Sequence, residues 1–140
     1  MMFRIKAFAG GLAVLLSLTV SPSLATAQDC DRACLGNLVT QYAEAVLAHD
    51  PSLLPLADDA EYTEGGRAVA MGEGAWQIIT AQGSFRHDYL DTTRQVAASH
   101  IHFLEGDMPV LMSVALHVDD GKISGIETIV ARITPDSPFQ

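Results

Sequence analysis

The chain has 140 residues, with 17 acidic against 8 basic side chains and a net charge of −9. That balance argues against nucleic acid or an anionic membrane as a partner, since both are held by basic patches. The length suits one domain with a single core, and no internal repeat or low-complexity segment interrupts it.

Residues 1–27 read as a signal peptide rather than as part of the fold. Arg4 and Lys6 form a short positive start, an apolar run extends from Ala7 to Val20, and Ala25-Thr26-Ala27 supplies a small-residue cleavage site. The apolar run is shorter than the roughly 20 residues a membrane span needs, and Pro22 breaks the chain just beyond it. The expectation is export to the periplasm or the medium, cleavage after Ala27 and no membrane attachment afterwards. Taking 27 residues from 140 leaves 113; the two lost basic residues leave six against 17 acidic ones, a net charge of −11. One domain is expected over 28–133, with a loose tail over 134–140.

Cys30 and Cys34 are the only cysteines. At positions i and i+4 of a helix start their Cα atoms come within disulfide reach, roughly 6 Å. Two cysteines alone make a poor metal site, so a disulfide stapling the N-terminus to the first helix is expected. From Asp31 to His49 the residues Leu35, Leu38, Val39, Tyr42, Ala45 and Val46 recur at three and four, the period of an amphipathic helix. Pro51 opens a second, short helix through Leu53, Leu54 and Leu56. Short strands are expected over 61–64 and 67–71, joined at Gly65-Gly66, then a third short helix over 75–82 containing Trp76. Residues 84–95, with Phe85, Tyr89 and Leu90, read as an edge strand because of their charges.

The clearest sheet signal comes last. Runs rich in β-branched and aliphatic residues cover 96–104, 110–118 and 122–132, separated by breaks carrying the Gly and Asp that tight turns require. Helices followed by strands point to an α+β fold, with helices packed on one face of an antiparallel sheet.

In this order of elements the chain resembles the NTF2-like superfamily, which includes SnoaL-like cyclases and ketosteroid isomerases. The residues carrying the resemblance run from Gln41 to Asp50 and from Leu56 to Glu64, with the glycines around Gly65 and the Gly72-x-Gly-x-Trp76 segment. The Cys-x-Arg-x-Cys-Leu opening at Cys30–Leu35 is similar to that of a secreted subgroup. The resemblance implies a cone: three N-terminal helices over a strongly curved, mixed but mainly antiparallel sheet, with a ligand cavity between. It implies Tyr42 as an oxyanion-stabilising donor and Glu64 as the general base, one methylene longer than the isomerases' Asp. The second donor of those enzymes would fall near Val114, which is apolar here, and this counts against steroid isomerisation itself. The implied register points Met112, Val114, Ile126, Thr128 and Arg132 into the cavity; Trp76, Tyr89 and Asp91 are further candidates to line it. His100, His102 and His117 fall on the opposite, convex face, so neither a metal nor a cofactor is expected.

A carboxylate in an apolar cavity, its proton affinity raised by desolvation, suits proton abstraction near neutrality. A phenol aimed at a developing enolate oxygen stabilises charge that appears only in the transition state. The expectation is a cofactor-independent acid–base enzyme (an isomerase, a dehydratase or cyclase, or a lyase) acting on a small hydrophobic or aromatic molecule. The alternative is a non-catalytic binding module using the same fold. Tyr42 equally reads as a core residue and Glu64 as a solvated turn residue. The second sheet face, with Leu111 and Ala115 beside the histidines, is expected to pair into a dimer or larger homo-oligomer.

Overall fold

The structure is a computed structural model that describes residues 28–136. The expected signal segment, and all but the first three residues of the expected tail, lie outside them.

One α-helix, α1 (Arg32–Ala48), precedes six strands: β1 (Leu56–Glu64), β2 (Arg67–Ala68), β3 (Ala81–Asp91), β4 (Val96–Glu105), β5 (Met108–Asp119) and β6 (Lys122–Arg132). The strands form one sheet in the order β2-β1-β6-β5-β4-β3. Only β1 and β6 run parallel; every other pair is antiparallel. β4 and β5 alternate strictly between buried and partly exposed positions, as a sheet covered on one face must. The buried set (Ala97, Ile101, Phe103, Val110, Met112, Val114, Leu116) packs against the helix residues Leu35, Leu38, Val39, Tyr42, Ala45 and Val46. These are the helix positions that the three-and-four spacing singled out.

The helix is fixed at both ends. The Asp31 side chain accepts the Cys34 N–H at 2.8 Å, and His49 leaves the helix with a left-handed φ of 55° while its Nε2 meets the Ile79 carbonyl at 2.8 Å. Cys30 and Cys34 form the expected disulfide, with Cα atoms 5.2 Å apart. Arg86 binds the helix to β3: its fork holds both Asp88 oxygens at 2.8 and 2.7 Å, while Nη1 reaches Thr40 and Nη2 reaches the Gly36 carbonyl. That pairing holds the Asp88 carboxyl below its usual range, through the Arg86 hydrogen bonds first.

Three N-terminal helices were expected, and only the first is an α-helix. The second is a single 3-10 turn, Pro51–Leu53. Leu54 precedes Pro55 and takes an extended conformation, φ −94° and ψ 144°, because the proline ring blocks the helical region for its predecessor. Leu56, expected at the end of that helix, instead opens β1 and pairs with Ile123. The third is another 3-10 turn, Gly74–Gln77. Ile78, Ile79 and Thr80 are stiff β-branched residues that resist extending it, and Ala81 already belongs to β3. Of residues 67–71 only Arg67 and Ala68 form strand, with one further bond from the Val69 N–H to the Tyr62 carbonyl at 3.0 Å. The three last strands match their expected spans to within two residues, and β3 is an edge of the sheet as anticipated. The β5–β6 turn has positive φ at both Asp120 (48°) and Gly121 (72°), the geometry of a two-residue primed turn.

Candidate functional site

The helix-covered face gathers the aromatic candidates. Tyr42 and Trp76 are fully buried, their rings edge to face with centroids 5.5 Å apart, and Tyr62 meets the same indole at 6.4 Å. The Tyr42 hydroxyl donates to the Met112 sulfur at 3.3 Å. Glu64, half-buried at the end of β1, accepts the Tyr62 hydroxyl at 2.9 Å and the Ala75 N–H at 2.8 Å, both on Oε2. Thr128 donates to the Tyr62 oxygen at 3.3 Å or to the Thr63 carbonyl at 3.1 Å. Gly74, at φ 65°, is what lets this carboxylate approach, since a Cβ there would lie 2.5 Å from Glu64 Oε2. The indole N–H of Trp76 is buried with no hydrogen-bond acceptor among the described residues.

Burial pushes the Tyr42 phenol well above its ordinary range, with the neighbouring Tyr62 and Glu64 adding to the effect. Burial is also the main cause of the raised Tyr62 value. Both remain neutral donors at any ordinary pH.

Of the residues expected around one cavity, Tyr42, Trp76, Met112, Glu64 and Thr128 do come together. Val114 and Ile126 are buried on the same face. The space expected to be open is occupied here by Tyr42, Trp76 and Met112, drawn in against a single helix. The phenol bonded to Glu64 is Tyr62, not Tyr42. Sequence reasoning missed Tyr62, although its i, i+2 relation to Glu64 puts both on one strand face. Arg132 sits at the end of β6 and its Nε holds Glu105 at 2.6 Å. Asp91 caps the β3–β4 turn, accepting the Thr93 and Arg94 N–H groups at 3.0 Å and pairing with the Arg94 guanidinium. The Arg94 backbone bond first, then its side chain, holds the Asp91 carboxyl below its usual range.

Tyr89 lies on the other face, 53% exposed. There a groove of about 620 Å³ crosses five strands, within the range of small-molecule sites. Its shape is set by strand register. Tyr89, Ala98, Ala115, Glu127 and Thr63 are successive partners from β3 to β1. Two alanines in the middle of that row leave a depression, with Tyr89 standing at one end and Glu127 at the other. The next row, His100, Ser113 and Ile129, forms one side. His100 Nδ1 meets Ser113 Oγ at 2.8 Å. The Tyr89 ring sits 4.8 Å from His87 and 5.5 Å from His100. His117 also belongs to this face, its Nε2 3.0 Å from Glu127 Oε1. Among the described residues no cluster of three or more metal-ligating side chains occurs.

Residues 28–130 match a family described as a domain of unknown function (DUF8021). The chain belongs to that family. No curated protein sequence matches it. Solved structures resemble it in fold at low identity. A de novo designed protein with a curved β-sheet aligns with a TM-score of 0.56 at 15% identity, covering 73% of this chain and 88% of that one. A Kribbella flavida protein named as a candidate ketosteroid isomerase aligns with a TM-score of 0.51 at 17% identity, covering 76% and 84%. An M. tuberculosis LEH-like epoxide hydrolase aligns at 0.47 and 16% identity, covering 71% and 84%. The first two place this DUF8021 member in the α+β, NTF2-like architecture, and at such identities they speak to fold alone.

Proposed function

We propose that this DUF8021 domain is an exported binding module that holds a small apolar or aromatic molecule in the groove across the open sheet face. One observation carries the reading: a 620 Å³ groove with an alanine floor, bordered by the polar side chains of Tyr89, His100, Ser113 and Glu127. Sites that bind small molecules combine apolar walls with a small number of orienting polar groups in this way. Tyr42 and Glu64 take no part in lining it. Export is supported by the Cys30–Cys34 disulfide, since such bonds persist in oxidising compartments. Equilibrium titration with a panel of naphthyl and phenyl compounds tests the reading. Saturable one-to-one binding that Ala98→Trp abolishes, with the fold intact by circular dichroism, is the expected result; binding that survives Ala98→Trp removes the groove from the account.

A second reading is favoured by a different observation, the contact between the Tyr62 hydroxyl and Glu64 Oε2 beside the unpartnered indole N–H of Trp76. Here Glu64 is the general base of an isomerase, dehydratase, cyclase or lyase, with Tyr42, Tyr62 and Trp76 as neutral donors to a substrate oxygen. It requires the 3-10 turn carrying Trp76 to open on substrate entry. Product analysis after incubation with phenolic and carbonyl metabolites tests it: turnover by the wild type that Glu64→Gln abolishes supports it, and turnover retained in Glu64→Gln ends it.

A further inference from the structure

The open-face groove has two chemically different ends. Tyr89 stands at the β3 end, with the His87 and His100 rings against it. Glu127 stands at the β6 end, opposite Thr63 across the β1–β6 pairing. From β3 to β6 is three strand spacings, about 14 Å, bridged by Ala98 and Ala115. Among the described residues Glu127 is the only carboxylate lining the groove, and no lysine or arginine lines it. His117 takes one Glu127 oxygen at 3.0 Å, which leaves Oε2 free to accept. Four of the basic side chains are engaged elsewhere: Arg86 with Asp88, Arg94 with Asp91, Arg132 with Glu105 and Arg32 with the Leu90 carbonyl.

We infer that the groove selects by charge as well as by shape: its ligand is a flat aromatic group joined by a short apolar arm to an ammonium or other cationic donor. The ring packs against Tyr89, the arm crosses the alanine floor, and the cation meets Glu127 Oε2 with the Thr63 hydroxyl beside it. An anionic end group meets this carboxylate, whose one basic partner is the His117 imidazole, a cation only when protonated, in a chain already strongly acidic. This inference rests on the binding reading above and adds the sign of the ligand's charge. Half-exposure of the site limits the effect to that of a surface charge pair, about tenfold in affinity for one unit of charge at low salt.

Three matched probes separate the two claims: a naphthyl ring on a four-carbon arm ending in ammonium, hydroxyl or carboxylate. Binding is measured by fluorescence anisotropy of the naphthyl group at pH 8 and low ionic strength. The alcohol is expected to bind, with the ammonium at least tenfold tighter than the carboxylate. In Glu127→Gln the ammonium should lose its advantage over the alcohol. Carboxylate binding as tight as ammonium in the wild type overturns the charge selectivity and leaves the binding reading standing, as does an ammonium preference that persists in Glu127→Gln. Failure of all three probes removes both. If the chain is then a dimer that Ile129→Glu splits, the face belongs to a second copy.

Discussion

The two faces of this sheet are built from the same strands by alternation, yet they dispose of their polar groups in opposite ways. On the helix-covered face the hydroxyls and carboxylates answer one another: Tyr42 to Met112, Tyr62 to Glu64, Thr128 to Tyr62 or Thr63, and Asp88 to Arg86 and Ser99. On the open face Tyr89, Ile129 and Phe85 are half or more exposed, and the polar pairs, His100 with Ser113 and His117 with Glu127, lie beside solvent rather than sealed in the core. A buried polar group is generally held to a partner within the protein, because an unpaired one costs about 1–3 kcal/mol; among the described residues the Trp76 N–H is the exception on this face. A groove that awaits a ligand has no such requirement, since water serves in the interim. The covered face therefore reads as structure and the open one as the surface left for recognition.

The sharpest way to break this contrast is to empty the covered face. Trp76 is fully buried between Tyr42 and Tyr62, so Trp76→Ala should cost about 3–5 kcal/mol of stability. Urea unfolding monitored by circular dichroism measures it. A loss below about 1 kcal/mol would mean that the indole sits in space the fold can spare, and would strengthen the reading in which that turn opens to admit substrate.

Alkaline pH tests the same face without mutation. Tyr42 and Tyr62 both have folded values raised above the ordinary tyrosine value of about 10, chiefly by burial. The folded state therefore keeps protons that the unfolded chain releases. This contribution to stability is fully present below about pH 10 and is lost as pH rises beyond it. Two of the three tyrosines should ionise only together with unfolding, seen as coincident rises in tyrosinate absorbance and loss of circular dichroism. Smooth ionisation of all three in a folded chain would contradict the sealed core.

Much of the architecture was legible because it is local. The helix over 31–49 and the three last strands are set by hydrophobic period and turn residues, which need no knowledge of distant chain. Errors came where one residue outweighs a pattern: Pro55 denies Leu54 a helical backbone, and β-branched Ile78, Ile79 and Thr80 stop the turn that Trp76 begins. The partners of the candidate site were least legible. Met112 lies 70 residues from the Tyr42 hydroxyl it accepts, and Thr128 lies 66 from Tyr62. The groove is a product of register, because Ala98 and Ala115 make a floor only when β4 and β5 align them between Tyr89 and Glu127. A slip of one residue in β5 would put Val114 or Leu116 there.

A smaller effect is expected from Glu64→Gln. The amide oxygen can still accept from Tyr62 and from the Ala75 N–H, so shape and bonding survive while the charge is lost. Charged acceptors are worth more than neutral ones, and the difference is about 1 kcal/mol. Thermal unfolding gives the stability change. A loss well above that figure would make Glu64 a structural tie that the amide cannot replace, and would weaken its reading as a base.

The smallest change in stability should come from the open face, and its size decides what covers that face. Ile129 is 65% exposed, so in an isolated chain Ile129→Asn removes little buried area and should alter stability by less than about 0.5 kcal/mol. The sequence led us to expect a homo-oligomer through this face, and the same substitution tests that as well. A side chain in the middle of an interface is buried in the assembly, and its loss would then be felt as a concentration-dependent fall in stability. Unfolding curves at two protein concentrations at least a hundredfold apart separate these cases. Equal, near-zero changes at both leave the groove free for a small molecule. A penalty above about 1 kcal/mol at the higher concentration that shrinks on dilution, with a fall in mass by light scattering, assigns the face to a second copy. In that outcome the contrast between the faces disappears, because both would be buried and the acid–base cluster would remain as the candidate site.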